Sequence, residues 1–175
     1  MAKQKVKFYF FLSSAVILSL SLTGASCGKK ISQKASEKTT EKIIEKQIGG
    51  KADVDIDKGN VKVETKEGKM EAGENVKLPS DFPKDIYVIE GTIKVAVSDQ
   101  ARESRTISIE TDKSMDEVYS LYQEKLKSDG WKITGTMAYG DVSNVVAEKD
   151  NRTASVVISK SGNKTTVTLS TGKNE

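Results

Sequence analysis

What most constrains this chain is its carboxy-terminal part, where apolar residues recur at alternate positions and turn dipeptides cut the runs at short intervals. Trp131, Ile133 and Met137 lead to Gly140-Asp141, Val145 and Ala147 lead to Asp150-Asn151, and Val156 and Ile158 lead to Gly162-Asn163, after which Val167 and Leu169 follow. Alternation with period two marks strands with one buried face, and short turns between such runs join them as antiparallel hairpins. The intervening positions are mostly Thr, Ser, Lys and Glu, so the opposite face is expected to be wet.

Upstream the same alternation places Ile93, Val95 and Val97 on one side of a strand, and Ile107 and Ile109 on one side of the next. Between Thr111 and Gly130 the period becomes helical. Ser114-Met-Asp-Glu117 is a capping box, Met115, Val118, Leu121, Tyr122 and Leu126 form one apolar stripe, and Asp129-Gly130 is a glycine C-cap. The order strand-strand-helix-four strands over residues 85–171 predicts an α+β fold, an antiparallel sheet of about six strands with one helix packed on one face.

A small β-meander is expected ahead of it at residues 51–77. Asp53-Val-Asp-Ile-Asp57 and Val61-Lys-Val-Glu-Thr65 alternate around a Lys58-Gly59-Asn60 turn, and Gly68 makes a second turn. Two or three strands do not stand alone in water, so this piece must dock on its neighbour or stay mobile. Residues 78–84 contain Pro79 and Pro83 and are expected to form an extended connector with Phe82 as its plug into the main domain. Residues 172–175 read as a disordered tail.

The amino terminus carries an address. Lys3, Lys5 and Lys7 precede an apolar run from Phe8 to Leu22, and Thr23-Gly-Ala-Ser26 leads into Cys27, the sole cysteine. A positive segment, an apolar segment and small residues before a cut site are the anatomy of a secretory signal. The cysteine at the cut makes the stretch resemble a lipobox, although Gly24 stands where Leu is usual. The resemblance implies that residues 1–26 are removed between Ser26 and Cys27, and that Cys27 receives an S-diacylglyceryl group and then an N-acyl chain such as palmitate. Each buried methylene contributes about 0.8 kcal/mol, so two or more chains anchor stably where one would not. The expected location is the cell membrane or outer membrane, with the domain facing outside the cytoplasm. Residues 27–50 then form a tether with six Lys and three Glu, whose i,i+3 pairs favour a fraying helix ended by Gly49-Gly50.

Charge and composition exclude several functions. Removing residues 1–26 leaves 25 basic and 25 acidic residues, of which residues 51–175 hold 19 and 22. A slightly acidic domain is a poor nucleic-acid binder. The chain has no histidine, and Cys27 is committed to lipid. Thiolate nucleophiles, Ser-His and Cys-His relays, disulfides and Cys/His zinc sites are therefore excluded from the mature domain, and no cofactor is indicated.

Four groups invite a chemical reading, and each has a plainer one. Asp53, Asp55, Asp57 and Glu64 copy the ligand spacing of a calcium loop, but Lys58 sits where the loop needs glycine, so metal binding is not expected. Ser161-Gly-Asn-Lys164 matches S-x-x-K but falls in a hairpin turn, where the nucleophile motif should open a helix. Asp116 and Glu117 are explained by capping and by the helix dipole. Tyr119, Tyr122 and Trp131 could line a cleft, yet such a set is more often core and rim.

The segment Leu78-Pro-Ser-Asp-Phe-Pro-Lys-Asp85, followed by the helix with Asp116, Glu117, Tyr119, Tyr122 and Leu126 and ending in Gly130-Trp131, resembles a loose group of uncharacterised bacterial lipoproteins that pair an LP-x-DFP-x-D segment with a helix-Gly-Trp unit. The helix alone is similar to that of the helix-grip domains of outer-membrane-assembly lipoproteins. The likeness implies location and fold and carries no catalytic residues. The expected function is a non-enzymatic binding or adaptor module in the cell envelope. Its partners would be membrane lipid through the anchor and an envelope protein or small ligand through the wet sheet face or strand edges. The competing class is an enzyme or enzyme inhibitor that uses carboxylates or a protruding Ser98–Ser104 loop.

Overall fold

The computed structural model describes residues 33–48, 51–57 and 60–174. The expected signal segment 1–26, the expected cut after Ser26 and the expected lipid attachment at Cys27 lie outside the described residues, as do Gly49-Gly50 and Lys58-Gly59. The first helix, α1, spans Gln33–Ile48 and lies against the first strand. Strands β1 (Ala52–Asp57), β2 (Asn60–Thr65), β3 (Gly68–Ala72), β4 (Thr92–Asp99) and β5 (Ser104–Thr111) precede α2 (Met115–Ser128), and β6 (Lys132–Tyr139), β7 (Val142–Lys149), β8 (Arg152–Ser161) and β9 (Lys164–Lys173) follow it. No described helix is long and apolar enough to cross a membrane.

All nine described strands belong to one antiparallel sheet in the order β1-β2-β3-β4-β5-β9-β8-β7-β6. This corrects the expectation of about six strands: the meander, expected to dock on its neighbour or stay mobile, is part of the same sheet. The joint is the pairing of β3 with β4, from Gly68 opposite Asp99 to Ala72 opposite Val95. A side chain at Gly68 would put its Cβ 2.1 Å from the Ser98 carbonyl oxygen, so the glycine read as a turn former is what lets β3 close on β4. An unpaired β4 edge and a meander too poor in apolar residues to stand alone each gain by the pairing.

The core lies between α2 and the β5–β9 part of the sheet. Val118, Tyr122 and Leu126, spaced four apart on α2, are buried against Ile107, Ile109, Val145, Val156, Ile158, Val167 and Leu169. Full burial of such side chains is worth roughly 1.5–3 kcal/mol each. The capping box forms as read, with the Ser114 N–H donating to Glu117 Oε2 at 2.9 Å and Ser114 Oγ accepting from the Glu117 N–H. At the other end Trp131 N–H reaches the Leu126 carbonyl at 2.8 Å and Gly130 N–H reaches Lys127 at 3.1 Å, a Schellman closure made with Gly130 at φ +82.

Two bulges overturn the expected side-chain directions. In β4 the register passes from Ile93 opposite Ile109 to Val95 opposite Ser108, so Lys94 is an extra residue. Ile93 and Ala96 therefore join the core, while Val95 and Val97 move to the other side of the sheet. In β6 the register passes from Ile133 opposite Ala147 to Gly135 opposite Val146, which sends Met137 out of the core.

The connector differs from expectation as well. It coils through turns at residues 80–81 and 84–85, with the Phe82 N–H donating to the Pro79 carbonyl at 3.0 Å. Coiling is what brings Phe82, Ile86 and Ile89 into the core together, which an extended segment could not do. The expected tail is also partly structured, because β8 is long enough to pair Gly172 and Lys173. Asn174 N–H donates to the Asn151 carbonyl at 2.9 Å.

Candidate functional site

The polar groups gather most densely at the connector. Arg152 grips Asp85 through two bonds, Nη1 to Oδ1 at 3.1 Å and Nη2 to Oδ2 at 2.6 Å. Lys149 Nζ stands 3.1 Å from the same Oδ2 and donates to the Asp129 carbonyl at 2.7 Å. The Trp131 indole N–H donates to the Asp85 carbonyl at 2.8 Å, and the Arg152 guanidinium stacks 5.0 Å from the Trp131 ring centroid. Hydrogen bonds from Arg152 hold the Asp85 carboxyl down at about 2. Nearby, Arg105 Nε bonds Asp81 Oδ2 at 2.6 Å. Asp85 of the LP-x-DFP-x-D segment thus meets Trp131 just past the helix end in one clasp, while Asp81 is held by Arg105 of β5 and Phe82 is buried in the core. With both Asp85 oxygens held by arginine, its work is to fasten the connector over the end of the core.

Among the described residues the carboxylates whose acidity shifts, Glu64, Asp85 and Glu117, all shift toward the charged form through hydrogen bonds, to Lys62, Arg152 and Ser114 respectively. A general acid needs the opposite. The buried Tyr122 hydroxyl is raised by desolvation, and it accepts from the Ile89 N–H at 3.4 Å.

Each sequence candidate can now be placed. Asp53, Asp55 and Asp57 project from one exposed side of β1, with Asp53 opposite Glu64 and Asp55 opposite Lys62. Glu64 is taken by Lys62 at 2.9 Å and Lys69 at 3.3 Å. Among the described residues no cluster of acidic side chains is arranged to hold a metal ion. An extended strand spreads its carboxylates along a line where a calcium loop would wrap them around an ion. Ser161 and Lys164 are the closing pair of the β8–β9 turn. Asp116 and Glu117 lie in the first turn of α2, and Tyr122 and Trp131 are core. Of the expected Ser98–Ser104 loop, Ser98, Asp99 and Ser104 are strand, and only residues 100–103 form an exposed turn, which the Gln100 N–H ties to the neighbouring hairpin by donating to the Glu67 carbonyl at 2.8 Å.

Three surfaces remain. A shallow cleft of about 240 Å³ lies over the meander, lined both by polar residues such as Asp55, Asn60 and Glu71 and by Val61, Ala72 and Val76. The outer face of β5, β9 and β8 carries rows of hydroxyls: Thr106, Ser170 and Ser155 in one row, Ser108 and Thr168 beside Val157 in the next. Thr106 Oγ1 and Ser170 Oγ are 3.0 Å apart. At the β6–β7 hairpin Met137, Tyr139 and Val142 stand exposed on that same side. The hydroxyl face was legible from alternation. The hairpin patch was missed because the bulge reverses Met137, and the clasp was missed because its partners are 67 residues apart.

Residues 90–173 match the family described as START domain-like. The matched stretch contains β4, β5, α2 and β6–β9, and leaves out the meander and the LP-x-DFP-x-D segment. No curated protein matches the chain.

Proposed function

We propose that this chain is a lipid-anchored, non-enzymatic binding module working outside the cytoplasm, and that it binds through the outer face of its sheet. The likeness to START domain-like proteins supports a binding role, since such domains are generally ligand-binding. The observation that carries the choice of surface is the filled space beneath α2. Val118 and Tyr122 are fully buried there against fully buried Ile107, Val145, Val156 and Leu169. A close-packed interior of this kind admits no enclosed ligand without repacking. The hydroxyl rows, by contrast, present an open polar surface suited to an envelope protein or a polar envelope ligand. The lipobox at Cys27 supports the location, because a lipid anchor holds the module at a membrane while leaving the sheet free.

Two experiments test this reading. Intact mass of the membrane-extracted protein is expected to show residues 1–26 gone and acyl mass on Cys27; an unmodified full-length chain overturns the anchor. Partner capture from membranes is expected to fall in a Ser108→Arg/Thr168→Arg variant of unchanged fold, and unchanged capture overturns the outer face. Thermal stabilisation by single-chain lipids would instead place a ligand beneath α2.

A further inference from the structure

The two edges of the sheet are protected unequally. On β1 the exposed positions are Asp53, Asp55 and Asp57, and α1 lies against the strand. Inward or outward charges and a covering element are common defences against edge-to-edge pairing. On β6 the defences are Lys132 and the bulge after Ile133, both at its start. Beyond the bulge Gly135-Thr-Met-Ala-Tyr139 contains no charge and no proline. Thr136, Met137, Ala138 and Tyr139 are all exposed, with Tyr139 at 85% and Met137 at 54%, and Val142 beside them is at 39%. Among the described residues β6 has no strand on its outer side.

We infer that this edge docks a second copy of the chain, β6 pairing antiparallel with β6 about a two-fold axis so that two sheets become one. The backbone is set for it. Tyr139 and Val142 close a two-residue turn, so Met137 and Tyr139 bond to β7 while Thr136 and Ala138 turn their N–H and C=O groups outward. Charge favours a second copy over an unrelated strand. Antiparallel self-pairing brings the Lys132 end of each β6 toward the Gly140-Asp141 end of the other, with nothing charged between. The same arrangement sets Met137 and Tyr139 of both copies along one face of the joined sheet, where they cover one another. This pairing does not depend on the partner proposed for the outer face.

The test uses the full chain in detergent, which has Cys27 as its only cysteine. Thr136→Cys or Ala138→Cys is compared with Asn163→Cys, in a turn several strands from the edge. Mild oxidation is expected to give covalent dimers at least about tenfold faster from an edge variant than from Asn163→Cys, because paired strands hold the thiols at high effective concentration. Adding Tyr139→Lys, at an exposed site, is expected to return the rate to the control value, and sedimentation is expected to show a dimer that Tyr139→Lys converts to monomer. Equal rates at the edge and control positions, or a monomeric parent chain, would overturn the proposal. Cross-linking of the edge cysteine to a different protein in place of a second copy would overturn it in favour of a foreign strand.

Discussion

In β5 to β9 the fully buried apolar residues face α2, whereas in β1 to β3 the apolar residues face away from it. Ile56, Val61, Ala72 and Val95 form one row across β1–β4, and Val54, Val63, Met70 and Val97 form the next. These rows continue into Ser108 and Thr106, on the hydroxyl side of β5. The buried Val54 and Ala72 accordingly stand outside the cluster beneath α2. On the α2 side the meander shows Asp55, Lys62 and Glu71 in place of apolar residues. One sheet therefore has two apolar areas on opposite faces, and the bulge at Lys94 is where the change occurs. A period-two pattern specifies alternation within a strand, but a single inserted residue decides which side it serves.

The contrast can be broken first at its stronger half. Ile107→Ala, at a fully buried position, is expected to cost about 2–5 kcal/mol in denaturant unfolding. Met70→Ala, at a half-buried position, is expected to cost less than about 2 kcal/mol. Equal losses would mean that the two apolar areas are equally packed. Next comes the joint between the halves: Gly68→Ala is expected to cost about 1–3 kcal/mol, because its Cβ would meet backbone. Amide exchange should then quicken in β1–β3 while β8 and β9 keep their protection. Quickening throughout the sheet would show that the halves unfold as one.

The clasp gives a smaller, pH-dependent effect. The Asp85 carboxyl lies at about 2 in the folded chain against 3.8 for an unpaired one. A lowered folded value means that the stabilisation is present above about pH 4 and is lost as pH falls toward 2. With the group partly exposed, about 1–2 kcal/mol is expected after solvent screening. Asp85→Asn should remove that much at pH 6 and very little at pH 2, as read from urea midpoints. The smallest effect belongs to Asn144 on β7, whose Oδ1 is buried without a hydrogen-bond partner among the described residues. Asn144→Val is expected to raise stability by up to about 1 kcal/mol, seen as a higher Tm; a lower one would reveal a bond at that oxygen.

What was legible in the sequence had local causes. α2 could be bounded because its capping box and glycine closure involve residues only a few positions apart. The hairpin turns could be placed because Gly140, Gly162 and the Asp150-Asn151 pair are residues that tolerate positive φ, which all four adopt. The hydroxyl face followed from alternation in strands whose register runs unbroken, as in β8 and β9. Met137 and Val97 were misplaced because a bulge leaves no mark in the order of apolar and polar residues.

By itself, then, the sequence determined an antiparallel arrangement, one packed helix, the positions of the turns, and, over residues 51–175, a domain without histidine or cysteine. Those properties rest on side-chain type and on contacts between near neighbours. Tertiary structure decided the rest: that the meander joins the sheet through Gly68, that Asp85 meets Arg152 and Trp131, and that β6 is left as the open edge. Each of these depends on which distant backbone or charge lies opposite, and no spacing along the chain encodes that.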